Sequence, residues 1–143
     1  MSYAPRSSQH RTKVMGFGTF DGLHPGHLFF LEELKKHGDE SVLVIARDHN
    51  VQKIKGRAPL KSEDERLAAI QETHMVDHAE LGNEQDFYKC IRDHQPHCIA
   101  LGYDQQADTQ KIAELFPDIE IVRLTAFRPQ EYKSSLINKV AVK

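Results

Sequence analysis

Five short apolar runs recur along the chain, and longer mixed segments separate them. Each run is too short for a typical helix and lacks the alternation of a half-exposed strand, which is typical of strands buried on both faces. The predicted strands comprise residues 14–17, 42–46, 76–79, Cys98–Leu101 and 119–124. The pattern therefore predicts a sheet that is covered on both sides.

The intervening segments place apolar residues three or four positions apart, which is the period of an amphipathic helix. Leu28, Leu31 and Leu34, with Phe30, form the first such face, and Gly38 is the expected C-cap. A second predicted helix follows a capping box of Ser62 and Glu65, and its apolar face contains Leu67, Ile70 and His74. A third contains Phe87, Cys90 and Ile91 and stops before Pro96. The last stops before Pro117, and its face contains Ile112, Ala113, Leu115 and Phe116.

Strand and helix alternate throughout, which favours a Rossmann-like three-layer α/β/α fold with a parallel five-stranded sheet. Residues 1–12 are polar and are predicted to be a flexible leader, and residues 13–143 are predicted to form a single domain. Ligands of such folds bind at the carboxyl ends of the strands. Residues 53–61, rich in lysine with one glycine and one proline, are predicted to form a mobile basic loop there.

Charge and cysteine content exclude several classes of function. The chain has 143 residues, a formal net charge of -2 and a pI near 6.5, so no overall field would attract nucleic acid or an anionic membrane. An anion site must therefore be built locally. Cys90 and Cys98 lack CxxC spacing, and no apolar run is long enough to span a bilayer. We expect a cytoplasmic protein without nucleic-acid or membrane partners.

Nine histidines raise the question of a metal site. They are scattered, and only the pairs among them could chelate, with no cysteine or carboxylate at zinc-finger spacing. A zinc or nucleic-acid protein built on these histidines is therefore a third choice, and no metal-ligating residue is predicted.

The chemistry of the chain is concentrated in a glycine-rich turn that follows the first strand. A dinucleotide fingerprint would need its third glycine where Asp21 stands, and the phosphate-loop motif GxxxxGK[ST] is absent. What remains is His24-Pro25-Gly26-His27, in which proline favours a first helical turn and glycine leaves the helix N-terminal amides accessible to a phosphate. His24 and His27 are three positions apart and can face the same anion.

The stretch GTFDGLHPGH resembles the HxGH signature of the cytidylyltransferase-like nucleotidyltransferase superfamily. The resemblance extends over essentially all of the predicted domain. It implies that a nucleoside triphosphate lies over the turn and that His24 and His27 contact it. The residues that would line this part of the nucleotide site are Gly18, Thr19, Phe20, Asp21 and Gly26.

The same resemblance assigns further positions. Lys53 and Lys55 resemble mobile lysines that close over the phosphates, and Arg66 resembles a helix arginine that completes the site. A solvated loop and a surface ion pair are the alternative interpretations of these residues. The nucleobase-side loop would contain Gly102, Tyr103, Asp104 and Gln105, and a C-terminal phosphate-binding element would contain Arg128, Lys133, Ser134 and Ser135. Ser134 and Ser135 could equally be helix caps.

The resemblance implies transfer of a nucleoside monophosphate from ATP or CTP to a phosphate-bearing small molecule, with Mg²⁺ bound to the nucleotide. The acceptor phosphate is already anionic near neutral pH, so no general base is required. Two subfamilies are similar, small archaeal-type FAD synthases and glycerol-3-phosphate cytidylyltransferases. Residues 46–48, 53–57 and 101–105 favour the first, which adenylylates FMN. A non-catalytic nucleotide-binding module and a homodimeric assembly stay open.

Overall fold

The computed structural model describes residues 12–102, 105 and 107–125. Within these residues five parallel strands form one sheet in the order β3-β2-β1-β4-β5. The strands are β1 (Lys13–Gly18), β2 (Glu40–Ile45), β3 (His78–Leu81), β4 (Cys98–Leu101) and β5 (Glu120–Arg123). All five predicted strands are therefore present, with ends that move by a few residues. The predicted burial is wrong for the edge strands β3 and β5, which contain no buried residue.

Helices follow every strand except the last described one. They are α1 (Pro25–Leu34), extended by a 3₁₀ turn (Lys35–His37), then α2 (Asp48–Lys55), α3 (Glu63–Thr73), α4 (Lys89–His94) and α5 (Thr109–Leu115). None of the helices within the described ranges has the length and apolar character needed to cross a bilayer.

The core lies in two layers, one on each face of the sheet, because alternate residues of each strand point in opposite directions. On one face Val14 of β1 packs with Leu31 and Leu34 of α1 and with Ile70 of α3. On the other face the layer is formed by Met15, Val42, Cys90, Ile91, Ile99 and Ile112, from β1, β2, α4, β4 and α5. This arrangement confirms the predicted three-layer α/β/α fold.

Two local predictions need correction. Gly38 is not a left-handed C-cap, since its φ is -171° and its role is steric: a Cβ there would lie 2.8 Å from the backbone nitrogen of Val14. The predicted loop 53–61 is wrong in its first part, because residues as far as Lys55 belong to α2. Val51 is the one buried residue of this helix, so its sequence has no clear helical period of apolar residues. Gly56 ends the helix in a left-handed conformation with a φ of 78°.

The predicted capping box at the start of α3 is confirmed. The Ser62 hydroxyl accepts a hydrogen bond from the Glu65 amide at 3.2 Å, and the Glu65 carboxylate accepts one from the Ser62 amide at 2.9 Å. The box fixes where α3 begins and so sets the position of Arg66, the next residue along the helix.

Candidate active site

The turn after β1 lies where the strand order reverses. Strand β1 has β2 on one side and β4 on the other, so the loops that leave β1 and β4 flank the crevice that binds ligands in such folds. Gly102, just after β4, lies close to α1, since a Cβ built on it would be 3.9 Å from the Phe30 ring. The predicted phosphate turn and the start of the predicted nucleobase loop are therefore neighbours.

His24 is the N-cap of α1, and this position determines its tautomer. Its Nδ1 accepts hydrogen bonds from the amides of Gly26 at 3.1 Å and His27 at 3.4 Å. Because an amide can only donate, Nδ1 carries no proton, and the proton of the neutral ring is on Nε2. The expectation that these amides are free for a phosphate is therefore wrong: His24 occupies them and offers Nε2–H in their place.

His27 stacks on His24, with ring centroids 3.7 Å apart and an interplanar angle of 21°. Burial and the adjacent His24 lower the pKa of His27 below its usual value, while the backbone of Gly22 opposes this shift. Within the described residues, its Nδ1 is buried and forms no hydrogen bond of normal geometry. His27 is therefore held largely neutral near pH 7, beside an exposed imidazole donor.

Phe20 packs against the His27 ring of this pair. Its ring meets the His27 ring edge-on at 5.2 Å and covers Gly18, where a Cβ would lie 2.5 Å from the phenyl carbons. Phe20 is only 5% exposed and adopts a φ of 56°, which is costly for a residue with a side chain. The prediction that Phe20 lines the nucleotide site is corrected, because its ring belongs to the core. Gly18 is required by this packing.

Asp21 closes the segment between α2 and α3 onto the turn. Its carboxylate accepts hydrogen bonds from the amides of Leu60 at 2.7 Å and Lys61 at 2.8 Å. The hydrogen bond from Leu60 is the largest contribution that lowers the pKa of Asp21, and Lys55 and Arg66 lower it further. Asp21 is therefore an ionised brace between two loops.

Arg66 makes the same connection from inside the protein. Its side chain has no exposed surface, and its Nε, Nη1 and Nη2 donate to Lys61 O at 3.1 Å, Thr19 O at 2.8 Å and Asp48 Oδ1 at 2.7 Å. The prediction that Arg66 neutralises the leaving pyrophosphate is corrected, since every nitrogen of the guanidinium is engaged by protein oxygens. Arg66 instead holds the turn, the 60–61 segment and the start of α2 together.

The two predicted lysines lie on the last turn of α2, two residues apart and on different sides of the helix. Lys55 is near enough to lower the pKa of both Asp21 and His27 through its charge. Lys53 lies two residues earlier, on another side of the helix. The structure therefore brings Lys55 to the turn, and Lys53 shares the helix with it.

The described part of the loop after β4 is braced internally. The Gln105 side chain accepts from the Gly102 amide at 3.1 Å and donates to Phe17 O at 3.0 Å, so its amide group is already used. Arg123 of β5 donates to the carbonyls of Gly102, at 2.9 Å, and of Gln105. Tyr103, Asp104, Arg128, Lys133, Ser134 and Ser135 lie outside the described residues, and their predicted roles stay predictions.

Sequence reasoning missed the roles of Arg123 and Asp48. Asp48 lies in the stretch 46–48 that resembles the FAD synthase pattern, but its contact with Arg66 is not evident from that resemblance. Arg123 belongs to no recognised motif, and it acts on carbonyls 21 and 18 residues away in the chain.

A family profile described as cytidylyltransferase-like matches residues 15–140. The chain therefore belongs to the cytidylyltransferase-like family, and it is a nucleotidyltransferase. This result confirms the class predicted from the HxGH turn. The predicted homodimer and cytoplasmic location stay predictions.

Within that class, the chain is similar to archaeal FAD synthases. It is 42% identical over 131 residues to the FAD synthase of Thermoplasma volcanium, covering 89% of this chain and 92% of the relative. It is 41% identical over 127 residues to the FAD synthase of Methanocorpusculum labreanum, covering 86% and 89%. Among solved structures, the lipopolysaccharide core biosynthesis protein of T. volcanium matches with a TM-score of 0.77 and 39% identity, over 83% of this chain and all of that one.

Proposed function

We propose that this protein is an FMN adenylyltransferase, which transfers AMP from ATP to FMN and so forms FAD and pyrophosphate. The acceptor is supported by the identity of about two residues in five to FAD synthases. The chemistry is supported by one observation above all: the hydrogen bonds that fix the proton of His24 on Nε2, beside a largely neutral His27 and the charge of Lys55.

In the proposed reaction a phosphate oxygen of FMN attacks the α-phosphorus of ATP. A new P–O–P linkage forms, the bond between the α-phosphorus and the bridging oxygen breaks, and pyrophosphate leaves with that electron pair. A phosphate monoester loses its second proton with a pKa of about 6, so the nucleophile is already anionic at neutral pH. Catalysis then depends on positioning and on stabilising charge rather than on a general base.

The described residues suit these two tasks. His24 would donate from Nε2–H to an α-phosphate oxygen, and His27, stacked against it, would give a second imidazole contact to the same group. Such preorganised donors act most strongly where charge increases in the transition state. Lys55 would attract the departing pyrophosphate, while Asp21 and Arg66 keep α2 beside the turn.

A divalent ion would be held mainly by the nucleotide. The Asp21 oxygens already accept two amides, and the turn offers imidazoles rather than the several oxygen ligands that Mg²⁺ prefers. The residues near the turn therefore fit an ion that arrives with ATP, bound to phosphate oxygens and water, and do not form a protein cage. Bound in this way, Mg²⁺ would neutralise phosphate charge.

The proposal is tested by measuring pyrophosphate release with ATP or CTP against FMN, glycerol 3-phosphate and sugar phosphates, with FAD detected by chromatography. We expect release only with ATP and FMN, matched by equal FAD. Turnover with CTP and glycerol 3-phosphate would instead show the cytidylyltransferase alternative. Nucleotide binding without turnover on any acceptor would show a binding module.

His24→Asn is the matched variant for this assay. The Asn side-chain oxygen can still cap α1, so the helix should keep its stability, but the Nε2–H donor is lost. We expect normal folding with a turnover reduced by about a hundredfold, as for the loss of one oxyanion donor. Undiminished turnover would remove His24 from the reaction while leaving the choice of substrates untouched.

A further inference from the structure

Three side chains converge at the β3 edge of the sheet, on the face opposite α1. His78 and Glu80 are two residues apart on the edge strand β3 and so share a face, and His94 ends the helix α4. Both imidazole Nε2 atoms point to the same carboxylate oxygen, Glu80 Oε1, at 2.7 Å from His78 and 3.1 Å from His94. One ligand atom from each residue lies within 4.8 Å of the others.

This donor set suits transition metals rather than Mg²⁺. Two imidazole nitrogens with one carboxylate oxygen bind Zn²⁺ and its neighbours well, whereas Mg²⁺ prefers oxygen ligands alone. Tetrahedral bonds of about 2.0–2.2 Å place ligand atoms about 3.3 Å apart. The two Nε2–Oε1 distances would therefore need to lengthen by only about 0.2–0.6 Å for an ion to replace the two hydrogen bonds.

The surroundings also favour a cation. Among the described residues, Glu80 forms ion pairs with these two histidines and with no lysine or arginine. Burial acts to raise the pKa of Glu80, but hydrogen bonds from His78, His94 and the Cys90 thiol outweigh it and lower the pKa. The Cys90 thiol forms a hydrogen bond with the same carboxylate and would hold it in place as a ligand.

We propose that His78, Glu80 and His94 form a binding site for one divalent transition-metal ion, Zn²⁺ in the first instance. Water would complete its coordination, since His78 is exposed and the site opens to solvent. The ion would join the edge strand β3 to α4, on the face of the sheet opposite α1 and its N-terminal histidines. Its role is therefore structural, and the proposal does not depend on the identity of the reaction.

The test uses the full chain, stripped of metal with a chelator and free of nucleotide, titrated with Zn²⁺ by calorimetry. We expect one ion per chain and a rise in melting temperature that Mg²⁺ does not produce. His94→Gln and Glu80→Gln should each weaken Zn²⁺ binding by more than about a hundredfold, beyond the loss caused by removing a supporting contact. His37→Gln, which changes an exposed histidine of the 3₁₀ turn, is the matched control and should bind normally.

A second measurement covers the case of a variant that does not fold. In the wild-type protein, Zn²⁺ should shift the imidazole nitrogen resonances of His78 and His94 and leave those of His24 and His27 in place. Shifts confined to His24 and His27, or no binding below millimolar Zn²⁺, would overturn the proposal. Mg²⁺-dependent turnover of folded Glu80→Gln should equal that of the wild type, and a large loss would contradict a purely structural role.

Discussion

Two pairs of histidines face opposite kinds of charge. His24 and His27 stack at the carboxyl end of β1, beside Lys55, with the nearby Asp21 occupied by backbone amides. On the opposite face of the sheet, at its β3 edge, His78 and His94 share the carboxylate of Glu80. We therefore expect an imidazole pair to bind an anion where a cation lies nearby, and a cation where a carboxylate lies between the rings.

The largest expected loss of activity comes from His27→Ala, which removes one imidazole of the first pair. Loss of one imidazole at the transferring phosphate should lower kcat by about 10²–10³ with little change in the KM for ATP, because the contact strengthens in the transition state. Steady-state kinetics measure both values. His37→Ala is the control, and an unchanged kcat in His27→Ala would contradict the assignment.

Arg66→Lys should disturb the frame around the first pair. A lysine ammonium cannot reproduce the three hydrogen bonds to Lys61, Thr19 and Asp48, so buried acceptors lose their partner. We expect the free energy of unfolding to fall by about 2 kcal/mol, measured by urea denaturation. Arg92→Lys, at an exposed ion pair, should cost much less. Equal costs would argue against the brace.

Lys55→Ala and Lys53→Ala test whether the two lysines of α2 act differently on the first histidine pair. Lys55 lies within electrostatic reach of His27 and Asp21, so its removal should raise the KM for ATP by about tenfold, or ~1.4 kcal/mol. Lys53→Ala should have a smaller effect. If the two variants behaved alike, the lysines would act together as a mobile lid, as the family resemblance implies.

The pH dependence of stability gives the mildest distinction. The pKa of His27 is lowered in the folded state, so the unfolded chain binds the proton more tightly. The stabilising contribution is complete above the ordinary pKa of 6.5 and is lost as the pH falls through the lower folded value. His27→Gln should remove this part of the slope in urea denaturation between pH 7 and pH 5. An unaltered slope would contradict the shift.

The sequence was sufficient for the sheet and for locating the turn that begins α1. Runs such as Cys98–Leu101 are apolar on both faces, and the spacing of His24 and His27 around Pro25 and Gly26 is a local signal. Contacts between distant residues leave no such sign. The burial of Arg66 follows from where Thr19 and Asp48 meet in space, and the convergence on Glu80 depends on packing α4 against β3.

The same limit explains the misjudged helix α2. It is eight residues long and buries one side chain, Val51, so neither its length nor its period separates it from a loop. Interactions at its start decide the matter, since the Asp48 amide donates to Glu63 at 2.8 Å and the Asp48 carboxylate accepts from Arg66. Such stabilisation comes from another helix and is invisible in a window of local sequence.

The hydrogen bonds from the amides of Leu60 and Lys61 to Asp21 show which positions of this segment can be varied in redesign and which must be kept. Backbone amides are supplied by any residue except proline, so positions 60 and 61 tolerate varied side chains as long as Asp21 stays. Leu60 is 85% exposed and Ile54 is 81% exposed, which leaves both open to combinatorial libraries. Libraries at these positions can therefore be screened while the carboxylate that anchors the segment is kept constant.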